Sequence, residues 1–187
     1  GQAPGYLILS RPRYRETLQP FVAWKRQCGY EVVERYADTY QRDSLPAIVQ
    51  RLYDSCDAEK PFPTFLLLVG GKADIAPYTN SHQPAGIDIS VTDLPYSDYT
   101  GDGLPDLLLG RWPVDDTLQL RTLIDKTLAY EQYRLGDPSY LRRTLVVAGH
   151  ESQQPAPTVT NGQVRYLGHA FAQAGTDTLC FLNPAYD

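Results

Sequence analysis

Hydrophobic and polar positions along the chain alternate between two periods. "GYLILS" (residues 5–10) is a short apolar run bounded by turn residues, which predicts a buried strand. The next segment sets Leu18, Phe21, Val22 and the pair Trp24-Lys25 at helical spacing. Gly29 closes that helix, and Pro20 is awkward within it unless it falls in the first turn. "YEVVERY" (30–36) is β-branched and predicts a second strand. "DSLPAIVQRLYDSC" predicts a helix capped by Asp43 or Ser44, with Pro46 in its first turn and Ile48, Val49 and Leu52 on one face. "PTFLLLVGG" (63–71) is apolar almost throughout, as a central parallel strand covered on both faces would be.

A long polar stretch, 72–104, then reads as a loop of functional length. "DLLLGRW" (106–112) predicts a fourth strand. The segment after it carries Leu118, Leu120, Leu123, Ile124, Thr127 and Leu128 on one helical face, capped by Asp115 or Asp116. "RRTLVVAG", "GQVRYLGHAFAQAG" and "TDTLCFLN" complete the pattern as strand, helix and strand. Strand and helix alternate throughout. The expected fold class is therefore α/β: three layers, with a mostly parallel sheet and helices on both faces. Sites in such sheets gather beyond the carboxyl ends of the strands, here after Ser10, Gly70, Gly110 and Gly149. The expected boundary between two parts of the chain lies in "RLGDPSYLRR" (134–143).

Composition narrows the function classes. The 187 residues are 42% hydrophobic and 21% charged, with a net charge of −5. Basic residues never gather into a patch suited to nucleic acid, so no nucleic-acid partner is expected. No apolar stretch reaches the length of a membrane span. Cys28, Cys56 and Cys180 are too few and too scattered for a complete disulfide framework. The chain opens on Gly1-Gln2 without methionine, which reads as a removed natural N-terminus.

"SDYTGDGLPDLLLGRWP" (97–113) offers the densest set of oxygen ligands: Asp98, Thr100, Asp102 and Asp106. Aligned with an EF-hand loop, these residues fill positions one, three, five and nine, with Gly103 at six. Leu109 then stands where the bidentate glutamate is required, so the EF-hand fails at its strongest ligand. The stretch still offers the hard oxygens that suit a calcium ion, while the plainer reading is a solvated turn before a strand. "LVGGKADIAP" lacks the spacing of a phosphate loop, and no dinucleotide fingerprint occurs. His150 and Glu151 follow the fifth strand at its carboxyl end. His169 falls in a helix and His82 in the long loop. The three cysteines look structural, and no nucleophile-elbow motif is present. Taken alone, the residues do not complete a catalytic set.

The order of the segments is more specific than any one of them. "YLILSRPRYRETLQPFVAWKRQCGYEVVERY", "PTFLLLVGGKADIAPY", "TDLPYSDYTGDGLPDLLLGRWPVDD" and a helix ending "IDKTLAYE" together resemble the gingipain-type cysteine peptidases, a caspase-like clan of secreted bacterial proteases. The resemblance covers nearly the whole chain. It implies a caspase-like architecture, with 1–136 as a first subdomain and 137–187 as the start of a second, truncated one. It implies protein or peptide substrates, export to the medium or the bacterial envelope, and a structural calcium ion. The family's catalytic His-Gly segment and its cysteine lie after the strand that reads "TDTLCFLN" here. The partner it implies is thus the remainder of the same catalytic domain. Glu151 matches the acidic residue that supports the catalytic histidine. The region matching the acid at the base of the specificity pocket reads "TNGQVRY", with Gln163 and Arg165 and no acid. That departure disfavours selection of a basic side chain. Two readings follow: the amino-terminal part of a cysteine endopeptidase, or a non-catalytic caspase-like module for binding or surface assembly.

Overall fold

A computed structural model describes residues 4–40, 47, 48, 50, 51, 63–79, 91–98, 100–149 and 156–184. The chain divides into two compact units, Gly1–Gln132 and Tyr133–Asp187.

The first unit is built on a parallel sheet. Its strands are β1 (Gly5–Ser10), β2 (Glu31–Tyr36), β3 (Pro63–Val69) and β6 (Leu108–Trp112), in the order β2-β1-β3-β6. The central strands are apolar because both of their faces are covered. Successive side chains divide between those faces. Ile8, Leu67 and Val69 point to helices α1 (Arg15–Gln27) and α2 (Thr117–Glu131). Leu7, Leu9, Leu66 and Leu68 point the other way, against Tyr40, Ile75, Tyr96, Leu107 and the helical Ile48. The helix expected around Ile48 lies mostly outside the described residues, as do Cys56 and His82.

Helix α1 buries Leu18, Phe21, Val22 and Lys25, one face at the expected spacing. Pro20 is not in the first turn; it stands inside the helix. It is exposed there, so water can satisfy the carbonyl that its missing N–H leaves free. Helix α2 is capped by Asp116, whose carboxylate accepts from Gln119 N at 2.8 Å. It buries Leu120, Ile124 and Leu128, but Leu118 is 72% exposed. Leu118 belongs to the first turn and falls off the stripe that the other three define.

The polar stretch 72–104 holds more structure than a loop. A two-residue antiparallel ladder pairs β4 (Tyr78–Thr79) with β5 (Val91–Thr92), and a 3-10 turn follows over Leu94–Tyr96. Tyr96 is buried and its hydroxyl donates to Ala76 O, which ties the stretch back to the sheet. Strand β6 starts at Leu108 rather than Asp106, because Asp106 is held in the preceding turn.

The second unit pairs β7 (Arg143–Val147) in parallel with β8 (Asp177–Phe181), joined by α3 (Ala156–Gln173). Helix α3 approaches β8 closely at Gly168, where a Cβ would come within 2.5 Å of Cys180 Sγ. The opposite face of the pair carries Leu145, Val147, Leu179 and Phe181, each more than half exposed.

Candidate functional site

The chain turns back on itself between β1 and β3: β2 lies on one side of β1, and β3 on the other. The crevice beyond the carboxyl ends at such a switch point is where α/β sheets usually bind ligands. Here the protein fills it. Asp74 is 4% exposed and takes Arg11 Nη1 at 3.0 Å and Arg13 Nη2 at 2.7 Å. Tyr14 Oη, also in contact with Asp74, donates to Val114 O at 3.1 Å. Burial by itself would raise the Asp74 carboxyl. The hydrogen bonds and charges of Arg11 and Arg13 outweigh it and hold the group below the ordinary aspartate value. Gly70 makes the turn possible: its φ is +139°, and a Cβ there would lie 2.6 Å from Asp74 Cβ.

Arg111, in the Leu-Gly-Arg-Trp segment, serves the same edge. It grips Asp93 bidentately, with two contacts of 2.7 Å, and donates to the carbonyls of Gly70 and Ile75 at 3.0 Å. A cavity of about 390 Å3 opens beside it, lined by Gly71, Lys72, Val91, Pro113 and Asp115 among others. At the opposite end of the sheet, Lys25 is buried among the rings of Tyr6, Phe21 and Tyr30, 5.2 to 5.4 Å from their centres. Burial, followed by the charge of Glu131, pushes the Tyr6 hydroxyl up to about 12.

The acidic turn folds inward. Asp98 accepts from the amides of Gly101, Asp102 and Gly103 at 2.7 to 3.2 Å. Asp106 Oδ2 accepts from Thr100 N and Oγ1, both at 3.1 Å, and Asp102 caps Leu104 N. The structure thus brings Thr100 and Asp106 together, and sets Asp98 against the amides of its own turn. Among the described residues, no group of three or more His, Cys, Asp or Glu is placed to hold a metal ion.

In the second unit Glu151 lies outside the described residues, between Gly149 and Ala156 in sequence. Gln163 and Arg165 are exposed on α3. His169 is exposed too. Cys180 Sγ rests against Val164 O at 3.9 Å, and Cys28 is exposed at the C-cap of α1. Asn161 is a residue the sequence did not single out. It is buried, and its amide binds the backbone of Asn183, just past β8. A lone Asn in an amphipathic helix carries no signal of such a contact.

No helix of the described residues is long and apolar enough to cross a membrane. Comparison with known proteins agrees with the architecture. The chain is 30% identical to Lys-gingipain W83 of Porphyromonas gingivalis over 188 residues, which is 96% of this chain and 10% of that protein. It is 27% identical to gingipain R2 of the same organism, over 84% of this chain and 20% of the other. A solved protease structure superposes with a TM-score of 0.77 at 28% identity, covering 98% of this chain and 41% of that one. The complex of the pro- and mature domains of Porphyromonas gingivalis RgpB gives 0.74 at 22% identity, covering 96% and 42%, and bears on the fold alone. The chain therefore spans only a fraction of the relatives it matches. The pattern of peptidase family C25 matches residues 1–186, and the chain belongs to that family, the gingipain-type cysteine peptidases.

Proposed function

We propose that the chain is the amino-terminal portion of the catalytic domain of an exported, gingipain-like cysteine endopeptidase acting on protein or peptide substrates. The observation that carries this reading is the family match over residues 1–186. In this reading 1–136 is the first caspase-like subdomain and 137–187 opens the second. The product is secreted or held at the bacterial cell envelope. The nucleophilic cysteine and the histidine lie beyond residue 187, in the remainder of the domain. Thiolate attack on the peptide carbonyl, with the histidine as acid and base, then proceeds over backbone amides that hold the oxyanion. Glu151 supports that histidine. Gln163 and Arg165 stand where a basic-selective pocket would need an acid, so the preferred substrate side chain is not Lys or Arg.

The test is the polypeptide encoded past Asp187. A His-Gly segment and a later strand ending in Cys, with loss of peptide cleavage when that Cys becomes Ala, supports the reading. Their absence overturns it in favour of the second reading, a non-catalytic caspase-like module with structural calcium. Calcium binding at Asp98, Thr100, Asp102 and Asp106 fits either reading as a structural role.

A further inference from the structure

The carboxamide of Asn161 engages both polar atoms of a single backbone residue. Its Nδ2 donates to Asn183 O at 3.1 Å, and its Oδ1 accepts from Asn183 N at 2.9 Å. Both residues are buried, at 4% and 8% exposure. An amide so placed imitates one rung of a β ladder, offering a donor and an acceptor to the same residue. The position matters. The β7–β8 ladder ends at the pair Val147 and Phe181, and Ala148 N adds one bond to Phe181 O at 2.8 Å. Beyond that point Asn161 takes over from the strand.

The helix that carries Asn161 is itself fixed. Val164 is buried one turn further along, and Gly168 lets the helix settle onto Cys180. Asn161, Val164 and Gly168 share one face by their spacing. The clamp therefore transmits the placement of α3 to the chain leaving β8. That segment departs at the carboxyl edge of a parallel sheet, where such folds place their chemistry.

We propose that Asn161 is a positioning residue. By holding the Asn183 backbone it gives the segment after β8 a single course along the edge of the active site. The role in catalysis rests on the peptidase reading above; the clamp itself does not. A carboxamide is required. Aspartate loses the donor and brings a buried charge against a carbonyl oxygen. Leucine loses both contacts.

The experiment uses the full-length polypeptide with Asn161→Leu and Asn161→Asp. Active sites are titrated with a thiol-directed peptidyl ketone, so that misfolded protein is not counted. The expected result is a fall in kcat/KM per titrated site of at least about tenfold for both variants at pH 8. Asn161→Asp recovers towards the unaltered protein as pH falls to 5, because a protonated carboxyl again offers both donor and acceptor. Equal kcat/KM per titrated site in all three proteins overturns the positioning role. Hydrogen exchange in peptides containing Asn183 reads the clamp directly. Protection lost in Asn161→Leu supports it, and unchanged protection overturns it. Should the unaltered protein neither cleave nor take the label, the peptidase reading fails, and exchange alone decides whether Asn161 directs the segment.

Discussion

Trp24 and Lys25 share one carboxylate. Trp24 Nε1 donates to Glu131 Oε2 at 2.7 Å, and Lys25 Nζ reaches the two oxygens of Glu131 at 2.7 and 2.9 Å. The pair closes α1 against the end of α2, more than a hundred residues away. A buried ammonium left without its partner is costly. Glu131→Ala is expected to destabilise the first unit by about 3 kcal/mol. The double replacement Lys25→Met with Glu131→Leu should lose much less, since it strands no charge. Thermal melts of the two variants check this, and equal losses would refute it.

Asp74 gives the first unit an acid-side slope. Its folded value lies below the unfolded value of about 3.9. Its contribution to stability is therefore complete above that unfolded value and fades as pH falls through the folded one. Asp74→Asn should lower stability at pH 7 by about 2 kcal/mol and flatten the decline below pH 4. Denaturant midpoints measured from pH 2.5 to 7 would show it. A variant that keeps the acid slope of the unaltered protein would remove Asp74 as its source.

Tyr133 occupies the left-handed region, with φ of 54°, just past the C-cap of α2. Glycine adopts this conformation without the steric cost. Tyr133→Gly should stabilise the protein by about 0.5–1 kcal/mol, because Tyr133 is 73% exposed and little packing is lost. A lower melting temperature would show that its ring contributes more than its backbone costs.

The acidic turn separates two roles for its carboxylates. Asp98→Ala removes the acceptor of three amides and should loosen the turn by roughly 1–2 kcal/mol with or without calcium. Asp102→Ala loses one amide contact and, under the proposed calcium site, one of its ligands. Millimolar calcium is expected to raise the melting temperature of the unaltered protein and to leave Asp102→Ala unmoved. Isothermal titration with no heat of binding would confine the turn to its hydrogen bonds.

Arg165 is exposed on α3; under the proposed function its positive charge would oppose a basic substrate. In the full-length enzyme, Arg165→Asp should shift the ratio of kcat/KM towards Lys or Arg substrates by about tenfold, or 1.4 kcal/mol. A preference for basic residues in the unaltered enzyme would contradict the proposed pocket.

The layered α/β order was legible because the central strands are apolar on both faces and the helices keep a 3.6-residue period. Phe-Val-x-Trp-Lys read as a motif without a reason. The reason is Glu131, far off in sequence, and periodicity contains nothing about which polar group meets which. The ladder between Tyr78–Thr79 and Val91–Thr92 leaves no pattern in the sequence because two residues carry no period. Helical spacing alone puts Leu118 on the wrong side, since a first-turn residue is held by the cap as much as by the stripe. Asn161 was invisible for a similar reason: its partner is a backbone, and backbones leave no mark in a sequence.

The three-way bond of Arg11, Arg13 and Asp74 restricts how this protein can drift. Loss of either arginine leaves the other to hold Asp74, whereas loss of Asp74 leaves two cations without their carboxylate at the switch point, so the arginines are freer to change than the aspartate. Across relatives Asp74 should be replaced only together with both arginines. The sheet's customary ligand crevice has become an internal fixture, and inheritance at these three positions should bear the stamp of a frame.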